Sequence, residues 1–153
     1  MLSKEARKER NTGFWESFRK EMRKEHSVNG RGIDWINYPT QVKDVYIRME
    51  TSSDEAVFCL DIQPKDEGIR ALVYEQMTEL RRVLESIIGE ANWDEFNRTF
   101  AGRNVSRISW SQKNLNFYDD NDLPAIKSFF REKLLAFDEF YQEYKDILIA
   151  LVD

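Results

Sequence analysis

Two runs decide how this chain is read: Asp44-Val45-Tyr46-Ile47-Arg48-Met49 and Ala56-Val57-Phe58-Cys59-Leu60-Asp61-Ile62. Both are rich in β-branched and aromatic side chains, which suit a pleated, half-buried surface. Between them lies Glu50-Thr51-Ser52-Ser53-Asp54-Glu55, a polar connection of hairpin length. Side chains alternate across a strand, so Val57, Cys59 and Asp61 share one face and Phe58, Leu60 and Ile62 the other. The second of these faces is the better core candidate.

Working outward from this hairpin, Ile33 to Tyr38, stopped by Pro39, predicts an edge or lead-in strand. Downstream, Val105 to Trp110 and Leu115 to Tyr118 predict two more, and Asn92 to Phe100 predicts a short helix around Trp93 and Phe96. Three long helices surround them. The first covers 3–26, with Ser3 as N-cap and Trp15, Phe18 and Met22 on one face. The second covers about 66–88, where Ile69, Leu72, Val73, Leu80, Val83, Leu84 and Ile87 hold a stripe that Gly89 ends. The third starts near Pro124, with Asp122 as candidate cap, and carries a wide aromatic stripe. The expected fold is therefore α+β: a twisted, largely antiparallel sheet of about five strands packed by three long helices. One domain over 1–153 is expected, with residues 1–12 a frayed basic N-terminal arm.

Composition fits this picture. The 153 residues are 41% hydrophobic and 13% aromatic, enough to build a core. Lys and Arg number 23 against 28 Asp and Glu, a net charge of -5 that excludes a strongly basic nucleic-acid coat. One cysteine and one histidine make neither a disulfide nor a zinc site. No apolar run is long enough for a bilayer, and the start lacks a secretory h-region. A cytoplasmic protein without membrane contact is the expectation.

Few residues promise chemistry. A phosphate loop and a dinucleotide fingerprint are both missing. His26 reads as a solvated helix-end side chain and Cys59 as a small packed one. One constellation stands out: Asp44 opens a strand, Asp61 and Gln63 close the next, and Lys65 follows. The helix–strand–strand–strand–helix–strand order resembles a restriction-endonuclease-like core, in which two acids on adjacent strands hold magnesium and a lysine activates water. Here glutamine stands where that lysine belongs and Lys65 lies beyond Pro64, so a degenerate version of the core is favoured over a working one. Gln76, in register with the stripe of the middle helix, is a further candidate for that centre. Magnesium is expected only if this hydrolytic reading holds; otherwise no metal or cofactor is.

The first 34 residues hold nine cations against six acids. Arg7, Lys8, Lys20, Lys24 and Arg31 form the candidate phosphate-contacting surface, although interleaved glutamates can pair with them at helical spacing.

Residues Gly32-Ile33-Asp34-Trp35-Ile36-Asn37-Tyr38, Val45 to Met49, Gly68-Ile69, Tyr74-Glu75-Gln76, Ser106-Arg107-Ile108 and Leu135 to Phe140 together resemble a bacterial domain of unknown function, DUF4268. The resemblance starts near Phe14-Trp15 and covers nearly the whole chain. Where relatives tend to have Glu in the second strand, this chain has Asp61. The resemblance implies association with nucleic-acid processing or defence, because some longer relatives carry a nuclease-like domain upstream; it transfers no catalytic motif.

The leading functional expectation is a non-catalytic accessory domain in nucleic-acid-related or defence machinery, binding nucleic acid or a nuclease-type partner protein. A metal-dependent nuclease with a degenerate site is the first alternative. The second is an interaction module or homodimer built on Phe129, Phe130, Phe137, Phe140, Tyr141 and Tyr144 of the last helix.

Overall fold

The computed structural model describes residues 2–152. The hairpin that decided the reading is present: β1 (Val45–Thr51) pairs antiparallel with β2 (Glu55–Ile62). A second hairpin, β3 (Asn92–Phe100) and β4 (Arg103–Lys113), docks against it through β2 and β4. The result is one four-stranded antiparallel sheet in the order β1-β2-β4-β3. Its apolar face carries Ile47, Phe58, Leu60, Ile62, Ile108 and Trp110, all buried. Four helices, α1 (Lys4–Met22), α2 (Glu67–Glu79), α3 (Arg81–Ile88) and α4 (Leu123–Val152), cover that face.

The 30 residues of α4 form the axis of the core. Phe129, Phe130, Phe137, Phe140 and Tyr141 are buried, and Phe137 packs against Phe58 of the sheet with ring centroids 6.1 Å apart. The aromatic stripe that suggested an interaction module is thus consumed inside the domain; of the six rings only Tyr144 is part-exposed. Beside α4, α1 buries Phe14, Phe18 and Met22, with Ser3 capping it through the Ala6 N–H at 3.1 Å.

Several expected elements are otherwise. The sheet has four strands, because 33–38 and 115–118 are loops. In the first loop the Asp34 carboxylate accepts the N–H groups of Ile36 and Asn37, closing a turn where an extended run was expected. In the second, Asn114 and Leu115 donate to Asp54 O, and Leu115 and Phe117 plug the core. Their alternate burial mimics a strand. Without a strand at 33–38, the order required by a restriction-endonuclease-like core is not the order found. The expected short helix at 92–100 is β3: a register shift between Asp94 and Arg98 breaks its two-residue alternation, leaving Trp93 and Phe96 at a spacing that imitates a helix. The middle helix breaks at Leu80, whose N–H is shared between Gln76 O and Met77 O. The break turns Val73, Met77, Leu84 and Ile88 inward and leaves Ile69 and Leu72 exposed. Asp122 accepts the Asn116 N–H at 2.9 Å and so ties the preceding loop to the start of α4.

Residues 23–44 form an irregular segment tied to α4 by the Asp138 carboxylate and by the Tyr141 hydroxyl, which donates to Thr40 O. Asp138 of α4 is 1% exposed and has no cation partner among the described residues. It accepts from Ser27 Oγ (3.0 Å), Val28 N (2.9 Å), Tyr38 Oη (2.6 Å) and Gln142 Nε2 (3.3 Å). Burial, reinforced by the anion, pushes the Tyr38 phenol well above its ordinary pKa, so it stays a donor. Asp138→Ala strands these donors in the core, and the expected loss is about 3 kcal/mol in urea unfolding. The exposed Asp146→Ala should change stability by less than about 0.5 kcal/mol; equal effects of the two substitutions would remove Asp138 from this role.

Candidate functional site

Among the described residues no helix lies over the other face of the sheet, yet part of that face is dry. Strand alternation sends Tyr46, Arg48 and Glu50 of β1, Val57, Cys59 and Asp61 of β2, and Val105, Arg107, Ser109 and Ser111 of β4 to this side. Asp61 is directly opposite Arg107 in the β2–β4 ladder. The guanidinium grips it with two bonds, Nε to Oδ1 at 2.6 Å and Nη2 to Oδ2 at 2.9 Å. It also takes the Glu50 carboxylate at 2.8 and 3.1 Å. One side chain on β4 therefore ties β2 and β1 together.

Arg48 closes the cluster from β1. Its Nε lies 3.2 Å from Asp61 Oδ2, and its Nη2 donates to Gln63 Oε1 at 2.8 Å. Above this cluster curls the β3–β4 hairpin, turned by Ala101 and Gly102, both with positive φ. It brings Phe100 over the face, so that the Arg48 guanidinium lies 4.9 Å from the Tyr46 ring and 5.1 Å from the Phe100 ring. These rings are 42% and 53% exposed, and Phe96 on the same hairpin is 65% exposed. Arg98 and Arg103 are also exposed there and form no ion pair among the described residues. A groove of about 510 Å³ continues over the face, lined by Glu50, Asn92, Asp94, Arg98, Ser109 and Ser111.

The charges are matched to this geometry. The hydrogen bonds from Arg107 hold the Glu50 carboxyl below its usual pKa. Burial works against the Arg107 charge, but its bonds to Asp61 and Glu50 outweigh burial and hold its pKa above the ordinary value. Cys59 is fully buried under the cluster, and burial pushes its thiol far above the ordinary range, which suits a packed group rather than a nucleophile.

The candidate catalytic residues are only partly assembled. Asp61 and Gln63 meet through Arg48. Asp44 immediately precedes β1, accepts the Gln63 N–H on its backbone oxygen and receives the Tyr46 hydroxyl at 3.3 Å. Lys65 is exposed on the following loop, and Gln76 is half-buried on α2, in the helical layer across the sheet. A magnesium ion needs carboxylate oxygens it can approach, whereas both Asp61 oxygens are held by guanidinium nitrogens at 2.6–3.2 Å. The residues present do not fit that ion. Among the described residues no cluster of three metal-binding side chains occurs.

Arg7, Lys8, Lys20, Lys24 and Arg31 are all exposed. At about 100° per helical residue, however, Arg7 and Lys20 point about 140° apart. Neighbouring glutamates are paired with α4, Glu21 with Lys127 and Glu25 with Arg131. Sequence reasoning missed Arg48, Glu50, Phe100 and Arg107. A signal existed for two of them, since Arg48 and Arg107 occupy the same outward parity as Asp61 in neighbouring strands.

The family model of a domain of unknown function, DUF4268, matches residues 11–145. No curated protein and no solved structure matches.

Removing Arg107 leaves Asp61 buried with only Arg48 beside it. Arg107→Met should cost about 3 kcal/mol, and adding Asp61→Leu should recover much of that loss. Additive losses in the double-mutant cycle would show that the two groups act separately. Glu50 has a lowered folded pKa, so its stabilisation is present above its unfolded pKa and fades as pH falls through the folded one. Urea midpoints between about pH 5 and 3 should therefore fall less steeply for Glu50→Gln than for the parent chain.

Proposed function

The chain belongs to the DUF4268 family, and from that premise we propose that it is a non-catalytic accessory domain of nucleic-acid-related machinery, contacting single-stranded nucleic acid with the open face of its sheet. The observation that carries this reading is the Arg48 guanidinium lodged between the exposed rings of Tyr46 and Phe100. Single strands are bound where bases stack on aromatic rings or guanidinium planes and where cations follow the phosphates. The hairpin supplies both kinds of group, with Phe96 and Phe100 for stacking and Arg98 and Arg103 for phosphate.

A binding role agrees with the state of Asp61. Hydrolysis needs a carboxylate that can give an oxygen to a cation, and this one already closes an ion pair that joins two strands. Position also favours the sheet over α1. The helix cations are spread around its axis among acids, whereas the hairpin cations lie beside exposed rings.

Fluorescence anisotropy of labelled single-stranded and duplex oligonucleotides, at about 50 and about 200 mM salt, tests the proposal. Single strands should bind more tightly than duplex, and more weakly at the higher salt. Phe100→Ala should weaken single-strand binding by about tenfold, the order expected for one lost stacking contact. Charge reversal at Lys8, Lys20 and Lys24 should leave affinity within about twofold, since phosphate contacts on another face add little to this one. Absence of binding at the lower salt, or loss only in the α1 variant, would overturn the reading.

A further inference from the structure

The sheet has two edges, and they are treated differently. The β3 edge is interrupted by its bulge, and Trp93 packs there against Tyr74 of α2 with ring centroids 6.0 Å apart. The β1 edge is a regular run of seven residues with no bulge. Ser52 N–H donates to Glu55 O, and Gln63 N–H to Asp44 O. Even-numbered residues of β1 therefore bond toward β2, and Val45, Ile47, Met49 and Thr51 turn their peptide groups outward.

At Val45 the outward groups are taken: its N–H donates to Val42 O at 3.2 Å, and its C=O accepts the Thr40 hydroxyl at 2.7 Å. For Ile47, Met49 and Thr51 no protein group bonds the outward N–H or C=O among the described residues. The chain thus blunts one end of this edge and leaves three consecutive outward residues as an open template. Beside them lies a groove of about 640 Å³ lined by Asn37, Thr40, Gln41, Lys43 and Ile47, among others.

We infer that this edge pairs with the same edge of a second copy of the chain, making a two-fold dimer with a continuous antiparallel sheet across the seam. The row of side chains on the strand chooses the occupant. Two-fold antiparallel pairing about Met49 sets Ile47 opposite Thr51 of the other copy and Arg48 opposite its Glu50, so unlike charges meet twice. Arg48 and Glu50 side chains are 34% and 46% exposed, which leaves each room for a second contact beside those to Asp61 and Arg107. Three outward residues per copy, each donating and accepting once, supply about six interstrand hydrogen bonds. Other two-fold registers do worse: centring on Arg48 or Glu50 sets like charges directly opposite each other. Centring on Ile47 calls on Val45, whose groups are already bonded, and centring on Thr51 runs off the end of the strand. In the Met49 register the other copy's Ser52-Ser53 turn comes alongside the groove at the blunted end.

The pairing groups of this inference are backbone groups on the edge of the sheet, and Arg48 is the one side chain it shares with the nucleic-acid reading. Its test is register-specific cross-linking of the whole chain. Residues opposite each other in an antiparallel ladder have Cα atoms about 5.5 Å apart, within disulfide range, whereas a four-residue offset separates them by about 14 Å. Met49→Cys, oxidised with copper phenanthroline, should form a covalent dimer. Ile47→Cys and Thr51→Cys should each fail alone and cross-link when mixed. The buried Cys59 keeps the background of the parent chain low.

In sedimentation between about 1 and about 200 µM, a range suited to a small transient interface, the parent chain should approach twice its 18.3 kDa. Met49→Pro should stay monomeric with an unchanged circular dichroism spectrum, because the N–H it removes points away from β2. A parent chain that remains monomeric throughout, or cross-linking of equal yield from all three single cysteine variants, would overturn the proposal.

Discussion

A carboxylate 2% exposed on the uncovered face of a sheet must be paired, and the pairing of Asp61 with Arg107 organises that side of the molecule. Arg107 reaches Asp61 with one edge of its guanidinium and Glu50 with the other, so a single β4 side chain binds three adjacent strands. Arg48 then completes the shell around Asp61 and is left with a planar surface between two rings. The same arrangement that neutralises the buried acid thus presents a stacking platform to solvent. It also covers Cys59, which explains why a strand on the open face has a fully buried thiol.

The helical side has its own polar centre, built on a different principle. Asp138 is buried and is satisfied by hydroxyl, amide and backbone donors. It pins residues 23–44, which deliver the chain from α1 to the start of β1 without regular structure. Four of the segments that carry the family resemblance fall on these two centres. Gly32 to Tyr38 and Leu135 to Phe140 bring Tyr38 and Asp138, while Val45 to Met49 and Ser106 to Ile108 bring Arg48 and Arg107. One pair of segments maintains the fold and the other shapes its open face.

Much of the fold was legible in the sequence where one physical signal dominated. The β1–β2 hairpin, α1 with its Ser3 cap, and α4 all follow from periodicity and capping chemistry. Signals failed where tertiary contact produced a false period. Leu115 and Phe117 alternate like a strand because a loop anchored on Asp54 drives both into the core. Trp93 and Phe96 have helical spacing because the register shift between Asp94 and Arg98 sets Trp93, on the regular ladder, apart from Phe96 within the bulge. The site was legible only as a set of acids. That Asp61 is an architectural ion-pair member depends on the β2–β4 register, which places Arg107, 46 residues away, directly across from it. No local pattern reports that distance.

The fold and the site together describe a two-layer domain with a saturated core on one face and a polar, ring-flanked surface on the other. The central claim is that this surface, rather than the charged first helix, meets a single strand. Amide chemical-shift mapping of the ¹⁵N-labelled chain titrated with a short single-stranded oligonucleotide tests it most directly. The account predicts perturbations concentrated at Tyr46, Arg48, Phe96, Phe100 and Arg103, with α1 unmoved. An unchanged spectrum, or shifts confined to Arg7, Lys8, Lys20 and Lys24, would contradict it.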